Sequence, residues 1–147
     1  MLPAGSAVEE YAATTLDGAT VSSGDAGGVL LVGFFSIGCT HCTTQLPKFA
    51  ERARGHAGGR DLVLAVVVAD ETQDPKPYVG PLTGVARVVH EGPAGPVAHA
   101  FGVTGFPAMG LVDPDGTVRA SGSQVTALPQ DAPSARVAAP AEATAGV

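Results

Sequence analysis

Two blocks of consecutive apolar residues dominate the hydrophobic pattern. Val29-Leu30-Leu31-Val32-Gly33-Phe34-Phe35 is short and bounded by glycine, and Leu62-Val63-Leu64-Ala65-Val66-Val67-Val68-Ala69 has no polar position. Runs of that length without alternation predict strands buried on both faces. Between them, residues 40–57 switch to helical spacing. Leu46, Phe49, Ala50 and Ala53 share one face, Lys48, Glu51, Arg52 and Arg54 lie elsewhere, and Gly58-Gly59 ends the pattern. Strand, helix, strand predicts a βαβ unit with parallel strands and a right-handed crossover.

The flanking patterns add to this unit. Ala13-Thr14-Thr15-Leu16 and Ala19-Thr20-Val21, joined by Asp17-Gly18, predict a small hairpin. Residues 71–84 are rich in proline and polar residues, which predicts an irregular loop with a short helix. A short strand over 85–89 and a helical segment over 97–101 follow. Residues 107–112 read as a strand, Asp113-Pro114-Asp115-Gly116 as a type I turn, and 117–121 as its antiparallel return. The expected fold class is α/β, a central mixed sheet flanked by helices with an N-terminal β-hairpin.

Composition narrows the function. The chain has 147 residues, 45% of them hydrophobic, which fits one domain with a single core. Fourteen acidic residues against 8 basic ones give a net charge of −6, which argues against nucleic acid as a partner. No apolar run approaches the roughly 20 residues of a membrane span. Residues 1–5 read as a linker or a scar of truncation, and no signal peptide is visible there. Residues 6–126 read as the folded unit. Residues 127–147 are Ala/Pro-rich and read as a disordered tail.

The two cysteines carry the chemistry. Cys39-Thr40-His41-Cys42 stands where the first buried strand hands over to the helix. At that spacing a disulfide closes with little backbone movement. Unpaired backbone N–H groups and the positive end of the helix dipole favour a thiolate at Cys39, the attacking sulfur. Cys42, one turn in, is shielded and becomes the resolving thiol. A protonated His41 favours the reduced form and makes the pair more oxidising. A structural disulfide gains little from so small a loop. A zinc site would need His90 or His99 beside the cysteines, without the usual second tight ligand pair.

Three features in order resemble the thioredoxin superfamily. They are a strand ending in Phe34-Phe35 before the cysteine pair, Pro47 in the following helix, and Phe106-Pro107 directly before a late strand. The resemblance covers nearly all of residues 6–126. It implies a cis peptide at Pro107 lying against the cysteines, and a substrate peptide pairing with the backbone of Phe106. Thr40, Phe106 and Pro107 are therefore the expected substrate contacts, beside the catalytic Cys39, Cys42 and His41. Gln45-Leu46-Pro47, the hairpin and the turn at 113–116 resemble the extracytoplasmic TlpA-type thiol-disulfide oxidoreductases, which include cytochrome c maturation reductases and methylamine dehydrogenase accessory proteins. That implies exchange with protein thiols and disulfides, a redox partner protein, no cofactor or metal, and a monomer. It also implies an extracytoplasmic location through an N-terminal signal or anchor outside this sequence, with the cytoplasm left open.

Three positions depart from the superfamily pattern. Gly38 replaces the usual tryptophan before the first cysteine. Gly33 stands where thioredoxin has a buried aspartate that helps the second thiol to ionise, which leaves water, Asp70 or Glu71 as the base for Cys42. His41 replaces a proline, which moves the expected potential from about −270 mV towards about −120 mV. Ser36-Ile37-Gly38-Cys39 also resembles part of a peroxiredoxin site. Val32 stands where that pattern needs proline, and the late strand begins with Pro107 where it needs arginine. A thiol peroxidase and a non-enzymatic binding module on the same fold are the alternatives.

Overall fold

The computed structural model describes residues 1–24 and 27–129. A two-stranded hairpin, β1 (Ala12–Thr14) and β2 (Thr20–Ser22), precedes the buried strand β3 (Leu30–Ser36). Helix α1 (Thr40–Arg54) leads through a 3-10 turn at Gly59–Leu62 to β4 (Val63–Val68). Helix α2 (Lys76–Thr83), β5 (Arg87–Glu91), α3 (Pro96–Ala100), β6 (Ala108–Val112) and β7 (Val118–Gly122) complete the domain. The central sheet has the order β5-β4-β3-β6-β7. Strands β3, β4 and β5 are parallel, while β6 and β7 run antiparallel to their neighbours. The mixed sheet and the hairpin match the sequence expectation, with element ends displaced by one to three residues.

The period of two along β3 divides the core. Leu31 and Phe35 face a cluster with Leu46, Phe49, Tyr78, Leu82 and Leu128, on the side of α1 and α2. Leu30, Val32 and Phe34 face a second cluster with Val97, Phe101 and Val21, on the side of α3 and the hairpin. Gly33 belongs to the first face, and its missing side chain matters. A Cβ there would stand 2.6 Å from the Phe49 ring and 2.9 Å from Phe35. The ring of α1 occupies that space, so the helix packs directly on the strand backbone. Pro47 lies inside α1 and leaves the Thr43 carbonyl without its helical donor.

Several expectations are corrected. Residues 1–5 lie on the domain instead of leading to it: Leu2 N–H donates to Phe101 O at 2.9 Å and Gly5 N–H to Val118 O at 2.8 Å. Met1 packs against the second core cluster. The C-terminal boundary also moves, because Leu128 is 3% exposed and belongs to the first cluster. Its carbonyl and that of Pro129 accept from Arg52. The rest of the expected tail, 130–147, falls outside the described residues. His56, read as a surface or loop residue, is buried, and its Nε2 meets Val29 O at 2.7 Å. This bond ties the end of α1 to the start of β3.

Two predictions follow from this packing. Gly33→Ala forces a methyl into the Phe49 ring, and overpacking of this kind costs about 1–3 kcal/mol. Denaturant unfolding is expected to show that loss with an unchanged slope. His56 titrates below its ordinary value, first through burial and further through the Arg52 charge, against the opposing hydrogen bond to Val29 O. The unfolded chain then binds that proton more readily. Stability is full above the unfolded histidine value of about 6.5 and declines as pH falls below it. Thermal melts between pH 7.5 and 5 are expected to show this slope, and His56→Gln to flatten it.

Candidate active site

The site forms where β3 ends. Ser36 closes the strand, and Ile37-Gly38 turn the chain, with Ile37 N–H donating to Val68 O at 3.0 Å. Gly38 has φ +87°, a left-handed conformation that glycine adopts at no steric cost. Cys39 follows with extended backbone (φ −93°, ψ 115°) and is the N-cap of α1. Its Sγ accepts from the Cys42 N–H at 3.2 Å, taking the place a serine or aspartate oxygen fills in an ordinary cap. The same sulfur donates to the Phe106 carbonyl at 3.6 Å. The Phe106–Pro107 peptide is cis, and Pro107 is buried immediately before β6. Strand β6 pairs with β3, so the sheet itself brings residues 39 and 106 together.

Cys42 is fully buried, and its sulfur accepts from Ser36 N–H at 3.4 Å. Burial, then the hydrogen bond with the Cys39 sulfur, pushes its thiol up to about 12. The Ser36 amide opposes this, and the charge of Cys39 adds to it. Both cysteines are free thiols. The pair thus presents one half-buried sulfur fixed between a donor and an acceptor, with a second, protonated sulfur behind it.

The other expected residues separate into two groups. Thr40 and His41 are exposed in the first turn of α1, and Phe106 is half-buried beside Cys39. These lie at the pair. Asp70 and Glu71, considered as a base for Cys42, are both exposed. The Asp70 carboxylate accepts from Thr72 N–H at 2.8 Å and Thr72 Oγ1 at 2.6 Å. Those bonds hold it below the usual carboxylate range. His90 meets Ala69 O at 3.4 Å, and His99 lies 3.8 Å from Glu9. Among the described residues no group of three or more His, Cys, Asp or Glu converges, so the histidines do not join the cysteines. Met109 is core.

Two residues at the site escaped the sequence reading. Gln73 Nε2 donates to Ile37 O at 3.3 Å, and the Tyr78 hydroxyl donates to Cys39 O at 3.3 Å. The available signal was slight: Tyr78 is one of 2 tyrosines in the chain, set in a proline-rich stretch.

A mixed sheet that places a Cys-X-X-Cys helix start against a proline turn defines a thioredoxin-like protein. The chain belongs to the AhpC/TSA family, whose family model matches residues 4–121. Its fold is similar to the thioredoxin domain of a thiol-disulfide oxidoreductase from Bacteroides vulgatus, with TM-score 0.62 and 22% identity over 82% of this chain and 89% of that one. The exposed lipoprotein thioredoxin of Streptococcus pneumoniae gives TM-score 0.61 and 24% identity, over 77% and 87%. A secreted disulfide oxidoreductase of Mycobacterium tuberculosis gives TM-score 0.58 and 22% identity, over 82% and 88%. No curated protein matches the sequence.

The burial difference predicts selective chemistry. Brief iodoacetamide treatment of the reduced native protein at pH 7 is expected to modify Cys39 and spare Cys42. Unfolding in guanidinium should expose both. Peptide mass spectrometry reads the two positions separately.

Proposed function

We propose that the protein exchanges dithiol for disulfide with protein substrates, Cys39 attacking and Cys42 resolving. The observation that carries this reading is the placement of the Cys39 sulfur, capping α1 and touching the Phe106 carbonyl, with Cys42 shielded behind it. The Cys39 thiolate attacks one sulfur of a substrate disulfide. The other substrate sulfur leaves as a thiolate and takes a proton from water. Cys42 then loses its proton and attacks Cys39 Sγ, releasing the second substrate thiol. Two electrons pass to the substrate, and the enzyme becomes the disulfide; the reverse sequence oxidises a dithiol.

Thr40 and His41 follow Cys39 in the first turn of α1 and Phe106 meets its sulfur just before Pro107, which supports reading these four as the surface against which a substrate segment lies. His41 is exposed next to the pair, where a protonated imidazole favours the Cys39 thiolate. The peroxidase alternative is weaker on residues: buried Val32 and Pro107 stand where that pattern needs proline and arginine. An extracytoplasmic location is part of this proposal. It is supported by the similar structures described as an exposed lipoprotein and as secreted. A redox partner protein and a monomeric state complete it.

The test is equilibration with graded ratios of reduced and oxidised glutathione, read by alkylation. The expected result is one cooperative two-electron transition, lost in Cys39→Ser and in Cys42→Ser. A midpoint near or above about −180 mV assigns a disulfide donor or isomerase, and one near or below about −270 mV a reductase. Absence of any cooperative transition removes the dithiol mechanism.

A further inference from the structure

The stretch from Asp70 to Tyr78 reaches the active-site turn from outside α1. Gln73 holds the Ile37 carbonyl and Tyr78 holds the Cys39 carbonyl. Tyr78 is 6% exposed, so its hydroxyl is a buried polar group whose partner is the backbone of the attacking cysteine itself. The Cys39 carbonyl also accepts the Thr43 N–H at 3.2 Å, the first bond of the helix. Tyr78 therefore does not satisfy an otherwise orphaned carbonyl. It adds a second, lateral bond that fixes how the cap is turned towards Phe106.

The phenol also responds to the sulfurs. Burial first pushes the phenol's pKa up, and the charges of Cys42 and Cys39 push it further, against backbone hydrogen bonds at Cys39 and Gly38. Coupling of this kind is mutual, so an ionised phenol would raise both thiols in turn; at pH 7 the phenol is neutral and acts through its hydrogen bond to Cys39 O. The Phe49 ring fills the space beneath Gly33. The polar contacts at the turn come from the Ser36 amide of β3 and from Gln73 and Tyr78 on the outer side.

We propose that Tyr78 is a positioning residue for the cysteine pair: its hydroxyl, buried against the Cys39 carbonyl, holds the cap of α1 in the geometry that makes Cys39 a reactive thiolate and sets the balance between dithiol and disulfide. The second half of this statement rests on the exchange reaction proposed above; the first half does not. Loss of the hydroxyl frees the cap to turn, and the Cys39 sulfur loses the fixed position in which the Cys42 N–H donates to it.

The test is Tyr78→Phe, which keeps the ring. The rate of Cys39 alkylation is followed from pH 5 to 10, and the glutathione midpoint is measured alongside. The expected result is a rate at pH 7 lower by roughly threefold to tenfold, the effect of one ordinary hydrogen bond. The midpoint of the pH–rate profile should move up, and the glutathione equilibrium should move towards the disulfide by a similar factor. A folded variant with an unchanged pH profile overturns the proposal, whatever its melting temperature, because a purely structural role moves only the latter. Should the variant fail to fold, the natural tyrosine answers the question in a Tyr11→Phe background. There the phenolate absorbance of Tyr78 is titrated before and after Cys39 is blocked with iodoacetamide. A lower midpoint after blocking supports the coupling, and an identical midpoint overturns it. If glutathione produces no cooperative transition in the parent protein, the exchange reaction fails, while the alkylation profile still decides the role of Tyr78.

Discussion

The contact on which the site depends is the Phe49 ring against the backbone of Gly33. A side chain at 33 cannot coexist with that ring, since even a Cβ would approach it to 2.6 Å. Strand and helix therefore pack at a spacing set by one aromatic ring on bare backbone. Helix α1 begins four residues after β3 ends, so this spacing also fixes where its N-terminus stands over the sheet. Cys39 caps that N-terminus, and Cys42 lies one turn further, pressed against Ser36 N–H. The Phe35–Phe49 edge contact, with centroids 5.3 Å apart, holds the same joint from the neighbouring position of the strand.

That packing also determines the polarity around the second sulfur. Apolar side chains of the first cluster pack around Cys42, the Ser36 amide alone reaches it from β3, and Asp70 near the carboxyl end of β4 turns to solvent and bonds to its own loop. A thiol in such surroundings stays protonated, as burial dictates. What polar influence remains comes from backbone amides and from Tyr78.

Much of this was legible in the sequence because it is local. The two apolar runs, the helical spacing between them and the cysteine pair at their junction each occupy a few consecutive residues, and each formed as expected. The same is true of Phe106-Pro107 before its strand. What was not legible depends on residues far apart. Gly33 could be read as the loss of an acid but not as the seat for Phe49. Tyr78 and Gln73 reach the site only because α2 docks on α1 and β4. Met1 to Gly5 have the proline and glycine content of a linker, yet their backbone bonds to Phe101 and Val118, partners a hundred residues away in sequence that no local pattern could indicate. Leu128 shows the same limit: one leucine in an alanine-rich stretch suffices to extend the core.

The burial of Cys42 has a consequence for the order of events in the proposed reaction. A thiol pushed up to about 12 is almost entirely protonated at pH 7. It does not compete with Cys39 for the first attack. Two of the causes that raise it come from Cys39: the hydrogen bond between the sulfurs and the charge on the first one. Both disappear once Cys39 is joined to a substrate, because its sulfur is then neutral and is no longer a thiolate to which the Cys42 S–H can donate. The Ser36 amide, which favours the Cys42 thiolate, remains. Formation of the mixed disulfide therefore lowers the cost of ionising the resolving thiol, and the second step is promoted by completion of the first. Sequential chemistry of this kind needs no moving part and no extra acid, only two identical side chains placed in unequal surroundings by one helix start.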